Sequence, residues 1–154
     1  MNASADDNSL TRARLCELAE VERAKHARWQ ERDLLRRRRR YGLLDLLQAA
    51  QLDELGQALG PKASASVWLQ VRGELGVAGR RVEVVTNLAT LQAALARSDT
   101  ELAAALPRGE RVMVVDLSAR SVRARERLCT FSRTAATVPG VELAAAADAD
   151  GRRA

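Results

Sequence analysis

Five consecutive arginines, Arg36–Arg40, set the first limit on what this chain can fold into. On an α-helix each residue advances by about 100°, so five residues cover more than a full turn. No side of that stretch can be apolar, and it cannot lie along its length in a compact core. It must project into solvent or sit against an acidic surface. The rest of the region concentrates this charge. Arg12, Arg14, Arg23, Lys25, Arg28 and Arg32 are nearly balanced by Glu17, Glu20, Glu22, Glu31 and Asp33, as solvated i,i+4 pairs would be. The positive excess is at 36–40.

From Thr11 to Leu59 there is no proline, and the only glycines are Gly42 and Gly56. Ala, Leu, Glu, Arg and Gln dominate, all good helix formers. This predicts one long helix, capped by Ser9 or Thr11 and running to about Arg40. A break near Tyr41–Gly42 then leads into a second helix, which Gly60–Pro61 ends after Leu59. The first helix has a broken stripe, Leu15, Leu18, Glu22 and Trp29, too polar for a coiled-coil seam. In the second, Leu44, Leu47, Leu55 and Leu59 recur at helical spacing with Leu43 beside them. That face must pack on something.

"PKASAS" (61–66) reads as a linker, and the pattern changes after it. "SVWLQV", "RRVEVVTN" and "ERVMVVDLS" read as strands. "LATLQAALARSDTELAAAL" and "ARSVRARERLCTFSRTA" read as helices, and "PGVELAAA" as a turn and a weak last strand. Strands alternating with helices predict βαβ units in a small parallel sheet. The expected fold is therefore α/β or α+β, with a long basic helical region before a small parallel-sheet domain. Its boundaries are a disordered start over 1–9, a helical extension over 10–60, a linker over 61–66, the α/β domain over 67–147 and a loose tail over 148–154. At 154 residues the chain suits a single domain, or a small domain with a helical extension. Aromatics are only 3%, so the core must come from Leu, Val and Ala.

The segments "VEVVTNLATLQAALA" and "RVMVVDLS", within residues 82–117, resemble part of a response-regulator receiver domain. The resemblance places Asp116 at the phosphoacceptor position. It implies a truncated, receiver-like (flavodoxin-like) fold that is not phosphorylated. The acidic pair that would hold Mg²⁺ is missing, since "SVWLQVRGE" offers only Glu74, and no lysine follows Lys62. Read from the residues alone, Asp116 ends a buried strand, where open sheets contact ligands. Alternatively it caps the next helix with help from Ser118. Residues 36–55, "RRRRRYGLLDLLQAAQLDEL", also resemble small accessory proteins of conjugative transfer, which place a basic helix before a leucine-rich one.

Little else in the sequence points to chemistry. Cys16 and Cys129 form no CxxC pair, which predicts free thiols in a reducing cytoplasm and no zinc site. His26 stands alone and reads as an i,i+4 partner of Glu22. "GELGVAG" (73–79) is a turn and not a phosphate loop. No signal peptide or membrane-spanning run is seen. No cofactor, metal or catalytic residue is expected.

The expected function is that of a non-enzymatic cytoplasmic adaptor. An acidic partner or phosphate would meet Arg32, Arg36, Arg37, Arg38, Arg39 and Arg40, with Trp29 and Tyr41 available to stack. Leu43, Leu44, Leu47, Leu55 and Leu59 would supply an apolar interface to a partner or to a second copy. The alternative is a nucleic-acid-binding accessory protein that contacts phosphates through Arg36–Arg40.

Overall fold

The computed structural model describes residues 9–75 and 81–136. Among them are six helices and three strands. In chain order these are α1 (Arg12–Ala19), α2 (Arg23–Glu31), α3 (Leu43–Leu59), α4 (Pro61–Val71), β1 (Glu83–Asn87), β2 (Ala93–Ala96), α5 (Asp99–Ala105), β3 (Val112–Asp116) and α6 (Ser118–Ala136). The expected strand in "PGVELAAA", the loose tail and most of the disordered start lie outside the described residues, as does part of "GELGVAG".

The mixed α/β class agrees with the sequence, but the single long helix does not form. Thr11 caps α1 by accepting the Arg14 N–H at 3.2 Å. The helix then stops at Glu20, whose φ is 57°. The Val21 N–H reaches back to the Cys16 carbonyl at 2.9 Å, and that of Glu20 to Glu17 at 3.2 Å. This is a Schellman stop. The same device ends α2: Asp33 has φ 56°, and the Leu34 N–H returns to the Trp29 carbonyl at 2.9 Å. Each left-handed residue is followed by an apolar one, Val21 or Leu34, that turns inward and is buried. That burial offsets the strain of a non-glycine residue at positive φ.

The second helix has the expected span, Leu43–Leu59, and is the centre of the molecule. It packs on α1, α4 and α6. Leu46, Leu47, Leu52 and Leu55 are all buried within the chain's own core. Asp53 is buried among them. It accepts from Lys25 of α2 and Arg120 of α6, and from the Gln57 amide at 2.9 Å. Arg120 also donates to the Glu20 carbonyl at 3.1 Å, at the end of α1. One buried arginine thus ties three helices together.

The linker and the first strand are corrected together. Pro61–Val71 is a helix, with Pro61 in its first turn, where a missing N–H costs nothing. Ser64, Val67, Trp68 and Val71 form its buried stripe at helical spacing.

The sheet is antiparallel in the order β2-β1-β3, not parallel. The β1–β2 connection is too short for the crossover that a parallel pair requires. Asn87 forms the turn, its side chain accepting the Ala89 and Thr90 N–H groups at 2.8 and 3.1 Å. "LATLQAALA", expected to be helical, is thus a turn followed by β2. A trace of the expected βαβ unit remains: β2 and β3 run parallel and are joined through α5, with β1 inserted between them. Val84 and Val115 lie in the same apolar cluster as Leu10, Leu46 and Val67, so the helical region and the sheet share one core. Among the described residues no helix is long and apolar enough to cross a membrane.

Candidate functional site

The arginine run is not helical. Arg36–Arg40 form an extended loop between α2 and α3, and all five are exposed. The reason lies on both sides of the run. Leu34 and Leu35 are pulled into the core, and Tyr41 is buried at the far end. Tyr41 pairs with Leu10 through two main-chain hydrogen bonds, of 2.8 and 3.0 Å. With both ends buried, the charged residues between them bow outward.

The loop is also held from beneath. The Gln30 amide, itself buried, donates to the Arg36 carbonyl at 3.0 Å and to the Tyr41 hydroxyl at 2.8 Å. Trp68 Nε1 donates to the Leu34 carbonyl at 2.8 Å, and Arg72 to the Asp33 carbonyl at 2.7 Å. Asp45 in the first turn of α3 pairs with Arg38 at 3.3 Å and accepts the Gly42 N–H at 2.9 Å. Among the described residues Arg36, Arg37, Arg39 and Arg40 make no ion pair.

One groove is lined by this loop, and a second shares Leu34, at the loop's root, with it. One, of about 730 Å³, is walled by Arg36, Arg37, Arg38 and Arg72, with Leu34, Leu35 and Leu44 between them and Asp33 and Asp45 at its side. The other, of about 520 Å³, carries Lys25, Arg28, Arg32 and Lys62 around Trp29, Leu34, Pro61 and Ala65. Cationic rims over apolar floors are suited to a ligand that is both acidic and apolar.

The sequence-derived residues therefore divide. Arg32 and Arg36–Arg40 are all exposed, but Arg36, Arg37 and Arg38 line one groove and Arg32 the other, and Arg39 and Arg40 line neither. Trp29 and Tyr41 do not present their rings for stacking: Trp29 is 9% and Tyr41 5% exposed. The Tyr41 ring is met edge-on by His26, with centroids 5.8 Å apart. His26 is therefore a core residue and not a solvated partner of Glu22. Of the proposed leucine interface, Leu47 and Leu55 are core. Leu43 and Leu59 are half-buried, and only Leu44, at 40%, is well exposed, on the groove rim. Lys62 and Arg72 were missed because α4 read as a linker and a strand; only its helical stripe of buried residues could have placed them.

Asp116 is exposed, and its carboxylate accepts the Ser118 N–H at 2.7 Å at the start of α6, as a cap does. Among the described residues no three His, Cys, Asp or Glu side chains gather in a metal-binding group. Neither a family model nor a curated protein matches this chain.

Proposed function

We propose that this chain is a non-enzymatic docking module that holds an acidic segment of a partner protein along the Arg36–Arg40 loop. The reading rests on the loop's setting: five exposed arginines on a backbone fixed by Gln30, Trp68 and Arg72, three of them lining a groove and a second cation-rimmed groove reaching the loop's root at Leu34. A fixed backbone lowers the ordering cost of binding. Arginine forks pair two-to-two with carboxylates. Leu44, 40% exposed on the groove rim, offers apolar contact beside those charges, which a peptide of acidic and apolar residues can use and a bare phosphate backbone cannot.

Nucleic acid is the second reading, favoured by the run of adjacent exposed arginines, which suits sequence-independent phosphate contacts. The burial of Trp29 and Tyr41 leaves it without base stacking.

The test is titration of the full chain with a labelled peptide alternating Glu/Asp with Leu, and with duplex DNA of random sequence. Replacement of Arg36, Arg37, Arg39 and Arg40 by Gln should abolish peptide binding and leave the melting curve unchanged. Tighter binding of the DNA than of the peptide would install the second reading. Equal binding by the variant and wild type would remove both.

A further inference from the structure

The two edges of the sheet are treated differently. At β2, the outward Ala93 N–H is taken by the Gln70 side chain at 3.0 Å, and the Arg97 N–H by Glu101 at 2.7 Å. Gln70 returns a bond to the Leu91 carbonyl at 2.8 Å. Two of the three outward N–H groups at that edge are thus taken by side chains.

The β3 edge is open among the described residues. Main-chain bonds Leu88 to Arg111 and Leu117 to Val82 bracket the β1–β3 ladder. Antiparallel ladders alternate, so Val84–Val115 and Thr86–Met113 are the pairs bonded between them. Val112, Val114 and Asp116 therefore turn their N–H and C=O groups away from β1. Edge strands are commonly guarded by proline, lysine or a bulge. β3 has none of these; its one charge, Asp116, stands at its end, and its central Val114 side chain is 41% exposed. Helix α5 packs over β1 and β2, whose Val85 is 4% exposed, and leaves Val114 uncovered.

We propose that β3 pairs antiparallel with β3 of a second copy, about a two-fold axis at Val114, to make one continuous six-stranded sheet. The edge is self-complementary in one register. With Val114 opposite its own copy, each Val112 faces an Asp116, and all three outward residues of both strands find main-chain partners. Apolar Val114 then meets apolar Val114, a favourable cross-strand pair. The two Asp116 carboxylates fall at opposite ends, about 13 Å apart at roughly 3.3 Å per residue. Parallel pairing would set them side by side. The surface is distinct from the arginine loop, and this inference does not depend on that loop's partner.

Sedimentation velocity on the full chain should give the mass of two chains, insensitive to salt. Val114→Lys, an edge guard at an exposed position, should give the mass of one chain with an unchanged circular dichroism spectrum. Should that variant fail to fold, Val114→Cys in a Cys129→Ser background still reads the geometry. Mild oxidation should link two chains through position 114, and Cys16 is buried and does not compete. A wild-type monomer at every concentration would overturn the proposal and leave the edge to the chain's own remaining residues or to another partner. A dimer that survives Val114→Lys, or a Cys variant that does not cross-link, would overturn it equally.

Discussion

The Trp68 indole N–H donates to the Leu34 carbonyl at 2.8 Å, across 34 residues of chain, and fixes the root of the arginine loop to α4. Trp68 is fully buried, so the bond is made out of water. Trp68→Phe keeps most of the apolar volume and removes the donor. Among the described residues Arg72, at 3.4 Å, is then the only other donor to that carbonyl. A poorly satisfied buried carbonyl costs about 1–3 kcal/mol, read as a shift in the urea midpoint. Trypsin cleavage within 36–40 should accelerate more than the global loss of stability explains. Unchanged cleavage would mean the loop is held by its two buried ends alone.

His26 makes the fold sensitive to acid. Its ring is 1% exposed and its Nδ1 has no hydrogen-bond partner among the described residues. Burial, and then the nearby Arg12 charge, lower its pKa from 6.5 to about 4, with Asp45 opposing. The folded state thus keeps His26 neutral, while the unfolded chain takes up a proton below 6.5. The contribution is complete above that pH and is lost as pH falls towards 4. It amounts to about 3 kcal/mol at most. His26→Phe preserves the edge-on contact with Tyr41 and should flatten stability across this window. A variant that keeps the wild-type pH profile would place the acid sensitivity elsewhere.

The sequence made some elements legible and hid others for physical reasons. α3, β1, β3 and α6 carry their own signals: a leucine pattern bounded by glycines, and short valine-rich runs between charges. The stops at Glu20 and Asp33 had none, because neither is the glycine that normally marks a left-handed cap. Only the burial of Val21 and Leu34 imposes them. β2, with the sequence AALA, has helical propensity and is a strand because it pairs with β1. Of the site, the arginines could be read directly. Their loop geometry and the contributions of Lys62 and Arg72 depend on tertiary packing that no local pattern encodes.

The leucine helix divides into core and rim, and two substitutions separate them. Leu55 is fully buried, and Leu55→Glu should cost several kcal/mol, on the order of burying an unpaired charge, and unfold most of the protein. Leu44 is 40% exposed at the wall of the arginine groove. Leu44→Glu should change the melting temperature little but weaken an acidic ligand, by placing a like charge beside Arg36–Arg38. Circular dichroism reads the first and peptide titration the second. A folded Leu55→Glu chain would return that face to the surface.

The arginine loop should discriminate between charge and geometry. Lysine at Arg36, Arg37, Arg39 and Arg40 keeps all four charges but removes the planar fork that engages a carboxylate or phosphate through two parallel bonds. If the partner is held by those forks, the lysine chain should lose most of the affinity that glutamine removes. If only the field matters, it should bind like wild type. Salt separates the partners. Duplex DNA gives a log–log slope of about −0.9 per phosphate neutralised, so four glutamines should flatten it by up to about four phosphate equivalents. Within the loop, Arg38 is already paired with Asp45 at 3.3 Å. Arg38→Gln alone should therefore cost less binding than Arg37→Gln, whose guanidinium makes no ion pair among the described residues. If Arg38 proves the more costly of the two, the Asp45 pair must open on binding and hand Arg38 to the ligand.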